Sequence, residues 1–466
     1  MKIERLKLTN FKRFANEDMR LKPITLLAGP NSSGKSSILS AIGMVLQSTS
    51  ADFPLSATLN GPYARLGEFR NVVKGHSERN SFSVSITVSV DSELIELEGV
   101  YRSNSETGGV SAKRVVWRDD GDSVEIFWNQ RRQAYFLSYE KKKSNREPFD
   151  IVFGDTLHFL HDRSKGGNLR TIESIWRDAS NESNLSVKQI TAFLNSQINE
   201  LEKGSVRIEG AKINDAVVNT ENLLPVRSAR ERINRKFRSF LRRVSFVGPV
   251  RAHPLRYYAS NSAMLDVDPI GESVAQRLAH WRDSDKKKFA SVKEALVELE
   301  LATEIEAKRS LGEFYQLSVR PQVSGSAETI ADVGFGVSQI LPVIVNDVAL
   351  GDAGVLAVNQ PEVHLHPSSQ ALLGNYFASR CKSRQYIIET HSEYLITRLR
   401  ILVAKGVIDS DDVAIFYVGG ESSSDDPLIS EVKIDDRGML VDAPDDFFRT
   451  YVADTYELAM QGFDDE

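Results

Sequence analysis

Apolar positions along the chain change period several times, and each change marks an element. Ile3, Leu6 and Leu8 form a first apolar set, a turn-like Asn10-Phe11-Lys12-Arg13-Phe14 follows, and residues 24–28 are a short apolar run. Two strands are expected over residues 1–28. Ile38, Leu39, Ile42, Val45 and Leu46 then recur at helical spacing. After an irregular stretch at 50–75, four alternating segments, 82–88, 94–97, 114–117 and 124–127, predict an antiparallel sheet with one face exposed. Residues 141–147 are polar and loop-like. From about 155 to 245 the pattern turns helical, at 172–176, 190–201 and 227–244, as expected of an inserted arm; Ile233, Phe237, Leu241 and Val244 share one face of its last helix.

A buried strand is expected where that helix ends, around 244–247, with a turn at Gly248-Pro249. Residues 252–275 are rich in Pro, Ser and Asp and read as loop. Helices are expected around 273–307, joined by a basic turn at Lys286-Lys287-Lys288. Residues 332–345 open with Gly334, Gly336, Ser338 and Gln339 and continue as a long apolar helix. Two further apolar strands end in polar residues: 355–358 runs into Asn359-Gln360-Pro361-Glu362, and 385–388 runs into Glu389-Thr390-His391-Ser392.

Between the apolar run 24–28 and the first helix stand Gly29-Pro30-Asn31-Ser32-Ser33-Gly34-Lys35-Ser36, followed by Ser37. This fits G-x-x-x-x-G-K-[ST] in the strand–loop–helix context a P-loop needs. Gly29 and Gly34 let the backbone curl so that successive N–H groups point at phosphate oxygens. The helix start adds unpaired N–H groups and a favourable dipole. Lys35 can reach the β- and γ-phosphates and Ser36 can ligate Mg²⁺. The glycines and serine at 334–338 form a second anion-suited helix start. A histidine closing a strand, as His391 does, can sense a γ-phosphate.

Composition narrows the class. The chain has 466 residues, 41% hydrophobic and 26% charged, within the ordinary globular range and long enough for several lobes. A net charge of −6 leaves nucleic-acid binding to a local patch, and the 227–243 helix, with Arg235, Arg238 and Arg242 among its cations, is the candidate. One cysteine, Cys381, rules out an internal disulfide. No apolar run approaches the roughly 18 residues of a membrane span, and a cytoplasmic protein is expected. His364 and His366 lack a third ligand at zinc spacing. The acidic pairs Asp411-Asp412, Asp425-Asp426 and Asp435-Asp436 read as solvated turns, so no nuclease centre is visible.

The order of P-loop, glycine-opened helix, Walker-B-like strand and switch histidine is that of ABC-type ATPases. With Asn10-Phe11-Lys12-Arg13-Phe14, Gly248-Pro249-Val250-Arg251, the 333–339 and 360–367 stretches and Glu389-Thr390-His391-Ser392, the chain resembles the SMC/OLD-like AAA ATPases of bacteria. Segments 412–418, 431–438 and 444–448 resemble the C-terminal domain of unknown function in one branch. The resemblance implies an α/β fold: an ABC/SMC-like P-loop head, a mixed parallel sheet plus an antiparallel β-lobe, with an inserted helical arm. Its expected divisions are 1–154, 155–245, 246–400 and 401–466. It implies ATP and Mg²⁺ as cofactors, held by residues 29–37. Lys12 and Arg13 would lie at the adenine, with Phe14 stacking there. Ser36 and Asn359 would stand at the metal, and Lys35, Gln360, Glu362 and His391 would act in catalysis. Gly334, Gly336, Ser338 and Gln339 would complete the site of another copy in a homodimer or higher homo-oligomer.

Relatives of the PtuA type, in Septu and some retron anti-phage systems, imply a separate nuclease partner of the HNH class. A RecF- or Rad50-like DNA-repair ATPase is the alternative. The chain departs from the family pattern at two positions. Asn359 stands where an acid usually holds Mg²⁺ through water, and Gln360 where ABC-type enzymes carry a glutamate. An amide positions water but cannot accept its proton. Glu362 or Glu389 could substitute, and slow hydrolysis is expected.

Overall fold

A computed structural model of the protein describes residues 1–48, 56–104, 109–129, 134–141, 206–208, 224–259, 268–310, 314–321, 325–419, 428–444 and 447. The loop expected at 142–147 and the helices expected at 172–176 and 190–201 lie outside the described residues.

The first 28 residues hold three strands, not two: β1 (Lys2–Phe11), β2 (Phe14–Arg20) and β3 (Ile24–Ala28). Strand β2 escapes the hydrophobic pattern because only Phe14 and Met19 of its seven residues are buried. It is an edge strand with one wet face, where two inward side chains suffice. A register shift between Ile3 and Arg5 explains why β1 spaces its apolar residues unevenly. Helix α1 (Lys35–Ser48) follows β3. The alternating segments form β4 (Ser81–Val90), β5 (Glu93–Ser103), β6 (Val110–Arg118) and β7 (Asp122–Asn129), extended by β8 (Ala134–Lys141) and β9 (Val206–Ile208). They make one eight-stranded antiparallel sheet, β2-β1-β4-β5-β6-β7-β8-β9. Its outer face carries ion pairs such as Arg114 with Glu98 and Glu125.

Helix α2 (Leu224–Leu241) is the last helix expected in the arm, but it ends before Val244, which opens β10 (Val244–Val247). Ile233, Phe237 and Phe240 bury against the antiparallel sheet. Then come β11 (Tyr258–Ala259), α3 (Val274–Ser284) and α4 (Lys286–Glu298). The three lysines start α4 instead of forming a turn, because Asp285 caps the helix by accepting from the Lys288 N–H. Residues 304–309 are strand β12 (Glu304–Arg309), not helix: Ile305 and Ala307 alternate inward while the polar residues face out. With β13 (Phe314–Arg320), β14 (Glu328–Thr329) and β11 it makes a small antiparallel sheet.

The glycine-opened helix is α5 (Phe335–Leu350). Strand β15 (Gly354–Asn359), α6 (Pro367–Ala378), β16 (Arg384–Glu389), α7 (Glu393–Ala404), β17 (Val413–Val418), β18 (Ile429–Ile434) and β19 (Leu440–Val441) complete the chain. The central sheet runs β10-β15-β16-β3-β17-β18-β19, parallel through β17 and antiparallel beyond it. Its strands are nearly all apolar because both faces are covered. Val355, Ala357 and Ile387 face the core shared with the antiparallel lobe; Leu356, Val358 and Ile388 face α3 to α7. The α/β class, with a mixed P-loop sheet beside an antiparallel lobe, is the one the sequence implied. Segment 413–418 of the tail enters this sheet as the parallel neighbour of β3. Among the described residues, no helix is long and apolar enough to cross a membrane.

Candidate nucleotide-binding site

Three parallel neighbours, β15, β16 and β3, end side by side, and their C-terminal ends collect the polar residues that the apolar strands exclude. Ligands in open α/β sheets bind at such carboxyl ends. The loop after β3 curls through Gly29 (φ +133°), Ser32 (φ +61°) and Gly34 (φ +109°) before α1 begins at Lys35. A side chain at Gly29 would lie 2.2 Å from the Val418 carbonyl oxygen, so the entry of β17 beside β3 requires glycine there. The Lys35 ammonium donates to the carbonyls of Gly29 (2.9 Å) and Pro30 (2.6 Å). Burial pushes its pKa down, against the attraction of Glu389 and Glu362.

The hydroxyl of Ser36 donates to Glu389 at 2.7 Å, and the Asn359 amide donates to the other oxygen of the same carboxylate. Asn359 and Glu389 are register partners at the ends of β15 and β16. The carboxylate beside Ser36 is therefore Glu389, a residue the sequence offered only as a substitute. An acid closing an otherwise apolar strand was its one signal. The Gln360 N–H donates to the Glu389 carbonyl at 2.7 Å, and Gln360 has φ +44°. Glu362 is buried; its Oε1 accepts from the His391 N–H at 2.7 Å. Burial pushes the Glu362 pKa up, against stabilisation from that N–H, from Thr390 and from Arg251. His391 is exposed at the surface of the site, and its pKa is pushed down by partial burial and by Lys35.

Arg251, whose motif the sequence flagged without a role, also reaches this edge. Its Nη2 donates to the carbonyls of Asn359 (2.6 Å) and Gln360 (3.1 Å). Five buried polar atoms here have no partner in hydrogen-bond geometry: Ser33 Oγ, Asn359 Oδ1, Glu362 Oε2, and Nε and Nη1 of Arg251. Buried polar groups are normally satisfied, so this cluster suits a polar, charged ligand. The donors also fit Mg²⁺, which takes hard oxygens and is commonly held by one or two carboxylates together with substrate phosphates. Ser36 and Glu389 are placed to supply them. Among the described residues, no group of three His, Cys, Asp or Glu could hold a metal by itself.

The remaining predicted residues divide. Arg13 lies against the loop, donating to the Ser33 carbonyl at 2.8 Å. Lys12 (φ +53°) is half-buried in the adjoining turn, with its pKa lowered by burial. Phe14 is fully buried beneath Gly34, so the expected stacking of its ring on adenine does not hold. Gly334 caps α5 in open space, while the Ser338 hydroxyl donates to the Phe335 carbonyl at 2.8 Å within its own helix turn. Gly336 packs on the His364 carbonyl, and Phe335 lies between the rings of His253 and His364. Among the described residues, no hydrogen bond joins 334–339 to 29–36 in the same chain. His366 caps α6, and Asp412 pairs with Lys382 (2.5 Å).

The AAA ATPase domain family matches residues 1–202 and 258–396. A search of curated proteins finds no match to the sequence. Among solved structures, the SMC head domain from Thermotoga maritima is 10% identical, with a TM-score of 0.38 over 93% of this chain and 100% of that one. The Smc head domain with an extended coiled coil bound to the C-terminal domain of ScpA, derived from Pyrococcus furiosus, is 13% identical, with a TM-score of 0.40 over 92% and 96%. A third, the SmcHead bound to the C-winged helix domain of ScpA, is 12% identical, with a TM-score of 0.38 over 93% and 98%. At these TM-scores, nothing further rests on the likeness.

Proposed function

Since this chain belongs to the AAA ATPase domain family, we propose that it binds ATP with Mg²⁺ on the 29–36 loop, hydrolyses it slowly and uses it as an assembly switch. The observation that best supports this is the row Ser36–Glu389–Asn359, from the first turn of α1 to the ends of β16 and β15, at the P-loop and amid unpaired buried polar atoms. ATP brings the phosphoanhydride, and Mg²⁺ offsets the charge on its oxygens. The loop N–H groups and Lys35 hold the phosphates. Ser36 and Glu389 hold the metal, and the Asn359 amide orients Glu389. Gln360 orients water without accepting its proton, which leaves the buried Glu362 carboxylate as the base and keeps turnover low. His391 reports the γ-phosphate from the end of β16.

Gly334, Gly336, Ser338 and Gln339 of a second copy complete the site, so the working form is a homodimer or larger homo-oligomer. By resemblance, that assembly restrains a separate HNH-class nuclease in anti-phage defence; co-purification with the product of a neighbouring nuclease gene tests this. The runner-up is a RecF- or Rad50-like DNA clamp. It would stand if the chain alone bound duplex DNA tightly with ATP, and if charge reversal at Arg235 and Arg242 abolished that binding. Two cations of α2 are already committed inside the protein, Arg232 to Asp119 and Asp122 and Lys236 to Glu93, which favours the first reading.

Titration calorimetry with Mg²⁺ and ATP tests the core of the proposal. Lys35→Ala weakens binding at least tenfold, about 1.4 kcal/mol, and Glu389→Gln removes most of its Mg²⁺ dependence. Affinity unchanged in both variants would refute the assignment. Turnover of many per second would refute slow hydrolysis.

A further inference from the structure

Arg251 is a buried cation with no carboxylate within ion-pair distance among the described residues. It is 5% exposed, and two of its nitrogens, Nε and Nη1, have no partner. Burial pushes its pKa down to about 10, opposed only by Glu362. A buried charge normally has an ion partner and a full set of hydrogen bonds. The one nitrogen that is committed, Nη2, goes to the carbonyls of Asn359 and Gln360, the residues at which β15 leaves the sheet. Gln360 sits there at φ +44°, the left-handed region that disfavours a residue with a Cβ. Its peptide is clamped on both sides. Its N–H is held by the Glu389 carbonyl at 2.7 Å, and its carbonyl by Arg251 at 3.1 Å. The Arg251 loop is itself fixed, by Gly248 N–H to Pro269 (2.8 Å) and Ala252 N–H to Ile270 (2.7 Å).

We propose that Arg251 is a positioning residue for the hydrolysis proposed above: it holds Gln360 in the left-handed conformation that aims its amide at the site. The role rests on the nucleotide reading. Strained backbone persists only where its surroundings enforce it, and here the enforcing group is a guanidinium able to span two successive carbonyls. Both bonds come from Nη2, held in place by the planar guanidinium; a lysine ammonium can donate to two carbonyls as well but sits on a flexible stem, so it holds them less firmly.

Steady-state kinetics of Arg251→Met and Arg251→Lys, with ATP affinity measured in parallel, tests the role. The expected result for Arg251→Met is a kcat lowered about 10²-fold, with KM and ATP affinity within about twofold of the unaltered protein. Arg251→Lys recovers only part of the loss. In a Gln360→Gly background, where glycine takes φ +44° unaided, adding Arg251→Met lowers kcat by no more than about twofold further. Hydrogen exchange of the protein without nucleotide supplies a second readout: in Arg251→Met the peptide covering 359–366 exchanges faster, and α1 does not.

Unchanged kcat in Arg251→Met with ATP still bound, additive losses in the double variant, or unchanged exchange at 359–366 would each overturn this role alone. Failure of the unaltered protein to bind ATP would overturn the nucleotide reading, and this role with it.

Discussion

Glu362 and His391, joined by one hydrogen bond, respond oppositely to pH. Burial raises the Glu362 pKa above its ordinary 4.5. Between 4.5 and that raised value the folded protein keeps a proton the unfolded chain has released, so stability falls as pH rises through the window. Burial of this carboxyl is therefore destabilising wherever it is ionised, a cost kept for its chemistry. Glu362→Gln preserves the acceptor for the His391 N–H and removes the titration, so its melting temperature gains on that of the unaltered protein as pH rises, by the equivalent of about 1 kcal/mol across the series. A thermal series from about pH 4 to 8 checks this; a difference that does not grow with pH would refute it. His391 runs the other way. Its pKa is depressed below 6.5, so below 6.5 the unfolded chain takes up a proton that the folded chain refuses, and stability is lost as pH falls through that window. Lys35 and Ser36 were legible as site residues because their chemistry lies within eight consecutive positions. Glu389 was legible only as a substitute acid, and its place beside Ser36 was not, because that contact spans 353 positions of sequence.

Elements were legible where their own period carried the signal, and illegible where a neighbour decided. The alternation of β4 to β7 and the helical spacing of α1 come from one-sided burial, which any chain writes into its sequence. Strand β2 carries little signal because an edge strand needs few apolar residues. Strand β12 reads as helix in the sequence because six residues with two inward side chains show little period. For α2 the helical face was legible but the fate of its cations was not: Arg232 meets Asp119 and Asp122 from the β6–β7 turn. Arg232→Met removes the cation that pairs with two largely buried aspartates and costs about 2 kcal/mol. Arg235→Glu, on the exposed side, changes stability by less than about 0.5 kcal/mol. Urea unfolding of the two variants checks the contrast; equal losses would refute it. Gly29→Ala is the third case. Its Cβ would meet the Val418 carbonyl at 2.2 Å at φ +133°, so it separates β17 from the loop and destabilises by about 2–3 kcal/mol. Loss of stability with loss of ATP binding is expected; unaltered unfolding would refute the contact.

At the scale of the whole molecule, the P-loop and the start of α5 carry two anion-suited helix ends that no same-chain hydrogen bond joins among the described residues. The proposed assembly brings them together between copies. Gly334 faces open space, with no atom within 4 Å of the point a Cβ would occupy, so Gly334→Arg leaves the fold intact while obstructing a docking copy. Sedimentation with Mg²⁺ and ATP is expected to show assembly of the unaltered protein and monomers of Gly334→Arg, with ATP affinity lowered less than in Lys35→Ala. Assembly of the variant to the same extent would refute the composite site.

By itself the sequence determined the nucleotide loop, the fold class and the faces of the long elements. These follow from contiguous residues, local period and backbone freedom. Only the tertiary structure decided which carboxylate stands beside Ser36, that Arg251 grips the end of β15, and that segment 413–418 lies against β3. Each of those pairings joins strand ends far apart in the chain. Parallel neighbours are set by how whole strands pack between helices, and no local pattern of residues encodes that choice.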